Sequence, residues 1–72
     1  PVASMINILG QHDRPTKLAG LAKALKDRAI HVHLYGKSPT KVDRKMGHIN
    51  ALGDTLDQTR TSARKARRLI EI

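Results

Sequence analysis

The 72-residue sequence predicts one small α+β domain, in which about three strands are flanked by two helices. Three observations lead to this class. Residues 2–9 form an apolar run of strand length, residues 29–35 and 45–52 are typical of a hairpin, and apolar residues recur at helical spacing over 15–26 and 55–70. Because so short a chain buries only ~60% of its unfolded surface, we expect a modest hydrophobic core.

The first strand is nearly all apolar over residues 2–9 and ends at Gly10. Its length and its branched residues favour a strand that is buried on both faces, where Asn7 would need hydrogen-bond partners. Three strands and two short helices supply little cover for two apolar faces. We therefore expect this domain to be a piece of a larger protein.

The first helix is predicted over residues 15–26. Asp13 is a candidate N-cap, and Pro15 suits a first helical turn. The apolar stripe that follows has helical spacing and consists of Leu18, Leu21, Ala22 and Leu25.

A hairpin is predicted from the next two strands. The strand over 29–35 alternates between an apolar face and a second face that carries His31, His33 and Tyr35. Gly36 ends this strand, and a polar loop with Pro39 follows. The strand over 45–52 has one side that carries Met46, His48, Asn50 and Leu52. Gly47 inside it indicates a bulge or a close approach of two backbones.

The last helix is predicted over residues 55–70, with Asp54 as its N-cap and Asp57 near its positive end. The residues that recur at helical spacing are Leu56, Thr59, Ala63, Ala66 and Ile70. The opposite face is basic and carries Arg60, Arg64, Lys65, Arg67 and Arg68.

The charge balance is strongly positive, because 14 Lys and Arg outnumber 6 Asp and Glu to give a net charge of +8. Such a field attracts phosphates, whether of nucleic acid, anionic lipid or a metabolite. The chain has no cysteine, which excludes disulfides and thiolate zinc sites and fits a reducing, cytoplasmic compartment. No apolar run has membrane-spanning length, and no basic leader precedes residues 1–10, so we expect neither a membrane segment nor a signal peptide.

Several catalytic motifs are excluded by their spacing. Gly36 and Lys37 resemble the end of a P-loop, but His31 stands where the first glycine is required. His31, His33 and His48 share a sheet face, yet a zinc site needs about three or four convergent ligands and no cysteine or nearby glutamate completes the set. The carboxylates form no catalytic pair, so we expect neither a metal site nor catalytic residues in this chain.

The hairpin loop carries the strongest cluster of cations, with Lys37 at its start, Lys41 within it, and Arg44 and Lys45 at its end. A hairpin brings the ends of its loop together, and converging lysine and arginine side chains suit a phosphate dianion. Adjacent strand residues point to opposite faces, so Arg44 and Lys45 reach one phosphate only where the backbone is irregular. From spacing alone, a solvated basic loop is the favoured interpretation, because runs of charged residues usually lie on the surface.

Two strings in this region, residues 33–37 (HLYGK) and 44–50 (RKMGHIN), resemble the C-terminal domain of the N5-carboxyaminoimidazole ribonucleotide synthetases. This family is also known as the ATPase subunit of phosphoribosylaminoimidazole carboxylase, an ATP-grasp enzyme of purine biosynthesis. Residues 5–10 (MINILG) are similar to a strand of the same domain, and the resemblance covers roughly residues 3–53. It implies a fold similar to a rudimentary barrel-sandwich hybrid.

The resemblance also implies a function for the whole enzyme, which carboxylates 5-aminoimidazole ribonucleotide with bicarbonate, using ATP and Mg2+ bound outside this chain. By analogy with the related formyltransferase, Lys37, Arg44 and Lys45 would hold the 5′-phosphate of the substrate. His48 and Asn50 would either be structural or support the residues that contact the phosphate. Asp43 departs from the family pattern, and an ion pair with it would divert Arg44 from the phosphate. A homodimeric full-length enzyme and an inactive isolated fragment are further expectations.

An alternative is a free-standing basic module that binds nucleic acid through the helix over 55–70. The scarcity of aromatic residues and the lack of a helix-turn-helix pattern argue against it. Nucleic acid is therefore not the expected partner.

Overall fold

The computed structural model describes all residues, 1–72. Its elements follow the predicted order: β1 (Val2–Leu9), α1 (Leu21–Ala24), β2 (Ile30–Leu34), β3 (Lys45–Gly53) and α2 (Leu56–Leu69). The strands form one antiparallel sheet in the order β1-β3-β2. The predicted α+β class is confirmed, and the sheet is open. No helix is long and apolar enough to cross a membrane.

The hairpin of β2 and β3 is confirmed, and β3 is the central strand. It pairs with β2 from Ile30 opposite Ala51 to Leu34 opposite Gly47, and with β1 along the whole length of that strand. The polar loop between β2 and β3 therefore leaves the sheet beside the end of β1.

A bulge in β3 explains the predicted irregularity at Gly47. Ile8 lies opposite Gly47, but Leu9 lies opposite Lys45, so Met46 is an extra residue in β3. Met46 and Gly47 are both buried, and Lys45 is exposed again. Without this extra residue, Lys45 would lie on the core-facing side of β3. The bulge places it on the exposed side instead.

Helix α2 covers one face of the sheet. Its buried residues Thr59, Ala63 and Ala66 are small, which lets the helix lie close to Ile49 and Ala51 of β3. The predicted N-cap is wrong by one residue: Thr55 accepts a hydrogen bond from the backbone N–H of Gln58 at 3.2 Å. Thr55 is favoured because its backbone is extended and its hydroxyl reaches the first turn.

The opposite face of the sheet is open, so the prediction that β1 is buried on both faces is wrong. Ala3, Met5 and Asn7 are exposed, with Met5 62% accessible, whereas Ile8 is fully buried. Both helices lie on the other side of the sheet, since α1 and α2 pack together and α2 packs on β1 and β3.

The predicted first helix is mostly wrong, because only Leu21–Ala24 of residues 15–26 are helical. The backbone of Ala19 exchanges hydrogen bonds with Glu71 at 2.8 and 2.9 Å, and that of Arg14 with Thr40 at 3.1 and 2.9 Å. These pairings use the groups that a helix would need, and Gly20 has a left-handed φ of 83°. Asp13 caps no helix, and its Oδ1 accepts from Val42 N at 3.0 Å.

Candidate functional site

The basic loop, residues 35–45, lies at the end of the sheet where β2 passes into β3. The backbone N–H of Tyr35 donates to the carbonyl of Met46 at 3.0 Å, which closes the base of the loop. Gly36 then turns the chain with a φ of 70°, a conformation that glycine adopts without strain. Lys37 follows this turn directly, so its position is set by the end of the hairpin.

A second segment, residues 10–16, holds the basic loop from the side. Asp43 N donates to the Gly10 carbonyl at 2.9 Å, in addition to the hydrogen bond from Val42 to Asp13. Asp43 itself has a φ of 64°, so the backbone just before Arg44 is irregular. These contacts give the loop a defined shape.

The backbone of Lys37 is fixed by two threonine hydroxyls. Thr40 is fully buried and donates through Oγ1 to Thr16 Oγ1 at 3.0 Å. Thr16 Oγ1 in turn donates to the carbonyl of Lys37 at 3.1 Å. Neither threonine is predicted from the sequence, since no short-range pattern links residues that lie 24 positions apart.

Arg44 is held within the same loop. Its Nη1 donates to the carbonyl of Pro39 at 3.0 Å, and the side chain is half-buried. The ion pair with Asp43 that would divert Arg44 is not formed; the one salt-bridge contact of the chain lies between the side chains of His12 and Glu71, 3.6 Å apart. A guanidinium has five N–H donors, so the contact with Pro39 orients Arg44 and leaves most donors free.

Lys45 is the third predicted site residue, and it lies at the first position of β3. The bulge at Met46 places it on the exposed side of the strand, which His48 also occupies. Lys37, Arg44 and Lys45 thus all lie at one end of the sheet, and none forms an ion pair with a carboxylate. Lys37 lines a small surface cavity, and neither Arg44 nor Lys45 lines that cavity or any other.

An aromatic cluster lies on the open sheet face beside these cations. It consists of His33 and Tyr35 from β2 and its extension, together with His48 from β3. The rings of His33 and His48 stack with centroids 5.2 Å apart, and Tyr35 Oη hydrogen-bonds to His48 Nδ1 at 2.8 Å. The ammonium of Lys37 lies 5.6 Å from the centroid of the Tyr35 ring. Sequence alternation predicted the shared face, but not these contacts.

The residues present do not fit a magnesium site. No three histidine or carboxylate side chains of the chain gather where they could hold a metal ion. Hard cations prefer several oxygen ligands, and the Asp and Glu residues here are dispersed.

The basic face of α2 is less extensive than predicted. Arg67 is half-buried, and its guanidinium donates to the carbonyls of Ile70 at 3.1 Å and Leu9 at 3.0 Å. Arg60, Arg64, Lys65 and Arg68 remain exposed. Arg67 therefore serves the fold and is not available to bind nucleic acid.

An open three-stranded sheet, backed by helices and ending in a hydrogen-bonded basic loop, defines a small α+β domain. The family model described as "Phosphoribosylaminoimidazole carboxylase C-terminal domain" matches residues 3–62. The chain belongs to this family.

Individual relatives agree with the family. The chain is 43% identical over 51 residues to an N5-carboxyaminoimidazole ribonucleotide synthase of Vibrio vulnificus (strain YJ016), covering 71% of the chain and 12% of that protein. It is 30% identical over 70 residues to a formate-dependent phosphoribosylglycinamide formyltransferase of Sulfurisphaera tokodaii, covering 97% of the chain and 18% of the relative. The chain thus spans less than a fifth of the length of these relatives.

The structural comparison gives the same result. The crystal structure of N5-carboxyaminoimidazole ribonucleotide synthetase from Thermotoga maritima superposes with a TM-score of 0.86 at 32% identity, over 96% of the chain and 20% of that protein. The phosphoribosylaminoimidazole carboxylase ATPase subunit from Aquifex aeolicus gives a TM-score of 0.75 at 27% identity, over 93% of the chain and 19% of that protein.

Proposed function

We propose that this chain is the C-terminal domain of a larger ATP-dependent ligase and that it anchors the phosphate of a ribonucleotide substrate. Lys37, Arg44 and Lys45 hold the 5′-phosphate of 5-aminoimidazole ribonucleotide, which the whole enzyme carboxylates with bicarbonate. The proposal rests on the basic loop. Hydrogen bonds hold this loop in one shape, and its three cations lie at one end of the sheet without carboxylate partners.

The chemistry of the loop suits a phosphate dianion. Arg44 offers a planar fork of donors, and the two lysines offer compact point charges. The hydrogen bonds from Thr16 to the Lys37 carbonyl and from Arg44 to the Pro39 carbonyl order the loop in advance. Less conformational freedom is then lost on binding, which raises affinity.

The names of the two groups of relatives support the same assignment. One acts on an aminoimidazole ribonucleotide and the other on phosphoribosylglycinamide, so the substrates share a phosphorylated ribose and differ in the group attached to it. A domain common to both is expected to recognise the shared part. The family match favours the aminoimidazole substrate for this chain.

The remaining chemistry belongs to the rest of the enzyme under this proposal. ATP and Mg2+ bind outside this chain, which offers no cluster of metal ligands of its own. The isolated chain is inactive, and the full-length enzyme works in the cytoplasm as a homodimer. Nucleic-acid binding by α2 is not favoured, since Arg67 is used internally and Tyr35 is the single aromatic residue among Phe, Trp and Tyr.

The test is steady-state kinetics of the full-length enzyme with Lys37→Ala and Arg44→Ala. Loss of a charge-assisted hydrogen bond to the phosphate raises KM for the ribonucleotide by about tenfold or more, while kcat changes little. Lys26→Ala is the matched control, because it removes one exposed lysine that precedes the start of β2, whereas the loop follows the end of that strand. Unchanged KM in both loop variants would refute the proposed anchor.

A further inference from the structure

We propose that His48 is a positioning residue, which holds the ammonium of Lys37 in place through the ring of Tyr35. This inference rests on the proposed function, because it concerns how the phosphate anchor is ordered. It assigns a role to the aromatic cluster of His33, Tyr35 and His48 on the open sheet face.

The first step is the contact between His48 and Tyr35. Tyr35 lies just beyond the end of β2 and its side chain is 43% exposed, so packing alone does not fix its ring. The hydrogen bond of 2.8 Å between Tyr35 Oη and His48 Nδ1 ties the far end of the ring to β3. With its base held by the backbone bond to Met46, the ring is fixed at both ends.

The second step is the support of His48 itself. Its ring stacks on that of His33 with an angle of 9° between the planes, and these residues are direct partners in the pairing of β2 and β3. The central strand thus fixes the imidazole that binds the tyrosine hydroxyl. His48 is half-buried and lies on the sheet, whereas Tyr35 lies in the loop.

The third step joins the ring to the lysine. The Lys37 ammonium lies 5.6 Å from the Tyr35 centroid, within the range of a cation–π interaction. The turn at Gly36 brings the side chain back over the ring of the residue two positions earlier. Because a lysine has a flexible stem, a ring beneath its charge reduces the freedom that it would lose on binding a phosphate.

The contacts therefore run from His33 to His48, then to Tyr35 and Lys37. A purely structural role for the cluster would affect folding, but it would not single out the affinity for the phosphate. If the cluster positions Lys37, its effect must depend on the presence of the Lys37 ammonium.

The test measures KM and kcat for 5-aminoimidazole ribonucleotide in four variants of the full-length enzyme. Three are single variants, His48→Leu, Tyr35→Phe and Lys37→Met, and the fourth combines His48→Leu with Lys37→Met. We expect His48→Leu and Tyr35→Phe each to raise KM by about two- to fivefold at unchanged kcat, the size of an exposed cation–π contact. His48→Asn keeps a polar atom near the Nδ1 position, so we expect its KM to lie much closer to the native value than that of His48→Leu. His31→Leu is the matched control, since His31 lies on the same face outside the cluster.

The double variant decides between positioning and structure. If His48→Leu raises KM in the native background but not beside Lys37→Met, the positioning role is supported. An equal rise in KM in both backgrounds would overturn the positioning role. It would also be overturned if His48→Leu left KM unchanged while Lys37→Met raised it. The phosphate anchor would stand in either case. If Lys37→Met leaves KM unchanged, both the anchor and the positioning role fall. Tyr35→Phe removes only a hydroxyl, so it keeps the test decisive if His48→Leu does not fold.

Discussion

Gly47 is a position at which β2 leaves no room for a side chain on β3. A Cβ atom there would collide with the carbonyl of His33 and would lie 3.2 Å from the Cα of Leu34. Because the colliding atoms belong to the backbone of β2, no change of rotamer would relieve the contact. The close approach that the sequence predicts at this position is thus enforced by the pairing of β2 and β3.

Gly47→Ala is expected to lower the free energy of unfolding by about 1–3 kcal/mol and to loosen the base of the loop. Urea unfolding measures the first effect, and hydrogen exchange at the Tyr35 amide, which bonds to Met46, measures the second. Gly36→Ala is the contrasting variant, because a Cβ at Gly36 would have no atom within 4 Å and only its φ of 70° opposes the change. A Gly47→Ala chain as stable as the native one would contradict the close contact.

Helix α2 is joined to the end of β1 by one side chain. Arg67 donates to the carbonyl of Ile70 just past the helix and to the carbonyl of Leu9 at the end of β1. Such carbonyls at element ends lack partners within their own element, so a half-buried guanidinium satisfies both at once. The arginine therefore belongs to the packing of elements, although its neighbours in the sequence are exposed cations.

Arg67→Ala is expected to destabilise the chain by about 1–3 kcal/mol, since it leaves two carbonyls without their donor. The exposed neighbour Arg68→Ala removes the same charge and is expected to change stability by about 0.5 kcal/mol or less. Arg67→Lys is not expected to restore stability fully, because an ammonium lacks the planar fork. Thermal unfolding of the three variants measures this, and equal effects for Arg67→Ala and Arg68→Ala would refute the bridging role.

At the level of elements, an apolar run of strand length, alternation with a period of two and helical spacing together identify all three strands and α2 from the sequence. They fail over residues 15–26, where four apolar residues have helical spacing but Arg14 and Ala19 pair with Thr40 and Glu71. These partners lie 26 and 52 positions away, and a local pattern contains no information about them.

For the candidate site too, the sequence predicts some features and not others. The spacing of Lys37, Arg44 and Lys45 around one hairpin predicts that they share an end of the sheet, and they do. The support of Lys37 by Thr16 and Thr40, and of Arg44 by the Pro39 carbonyl, depends on how two loops meet. The burial of β1 on both faces was also mispredicted, because an apolar sequence does not reveal whether a second layer is present in the same chain.

At the scale of the whole molecule, the net positive charge and the hydrogen-bonded basic loop both favour the approach of an anion to the same end of the sheet. The net charge of +8 is not neutralised at the loop, because none of Lys37, Arg44 and Lys45 forms an ion pair with a carboxylate, so the positive field there is little reduced. A field of this sign attracts anionic ligands before any contact forms. The hydrogen-bonded loop then supplies the geometry that a diffuse field lacks.

The residues that follow α2 pack next to the basic loop. Ile72 exchanges backbone and side-chain hydrogen bonds with Gln11, each 2.9 Å long, and its side chain is 2% exposed. Together with Leu18, Leu34 and Met46, it lines a small, half-open apolar pocket, to which Gly36 and Lys37 also contribute. The last residues after α2 therefore close the core under the basic loop, although they belong to no helix or strand.

Ile72→Ala is expected to lower the free energy of unfolding by about 2–5 kcal/mol, because it removes buried methyl groups and enlarges a cavity that already exists. Val42→Ala is the matched control: Val42 is 53% exposed, and its truncation is expected to cost about 0.5 kcal/mol or less. Urea unfolding of both variants measures the difference. Equal stabilities would mean that the packing of the Ile72 side chain contributes little to the stability of the core.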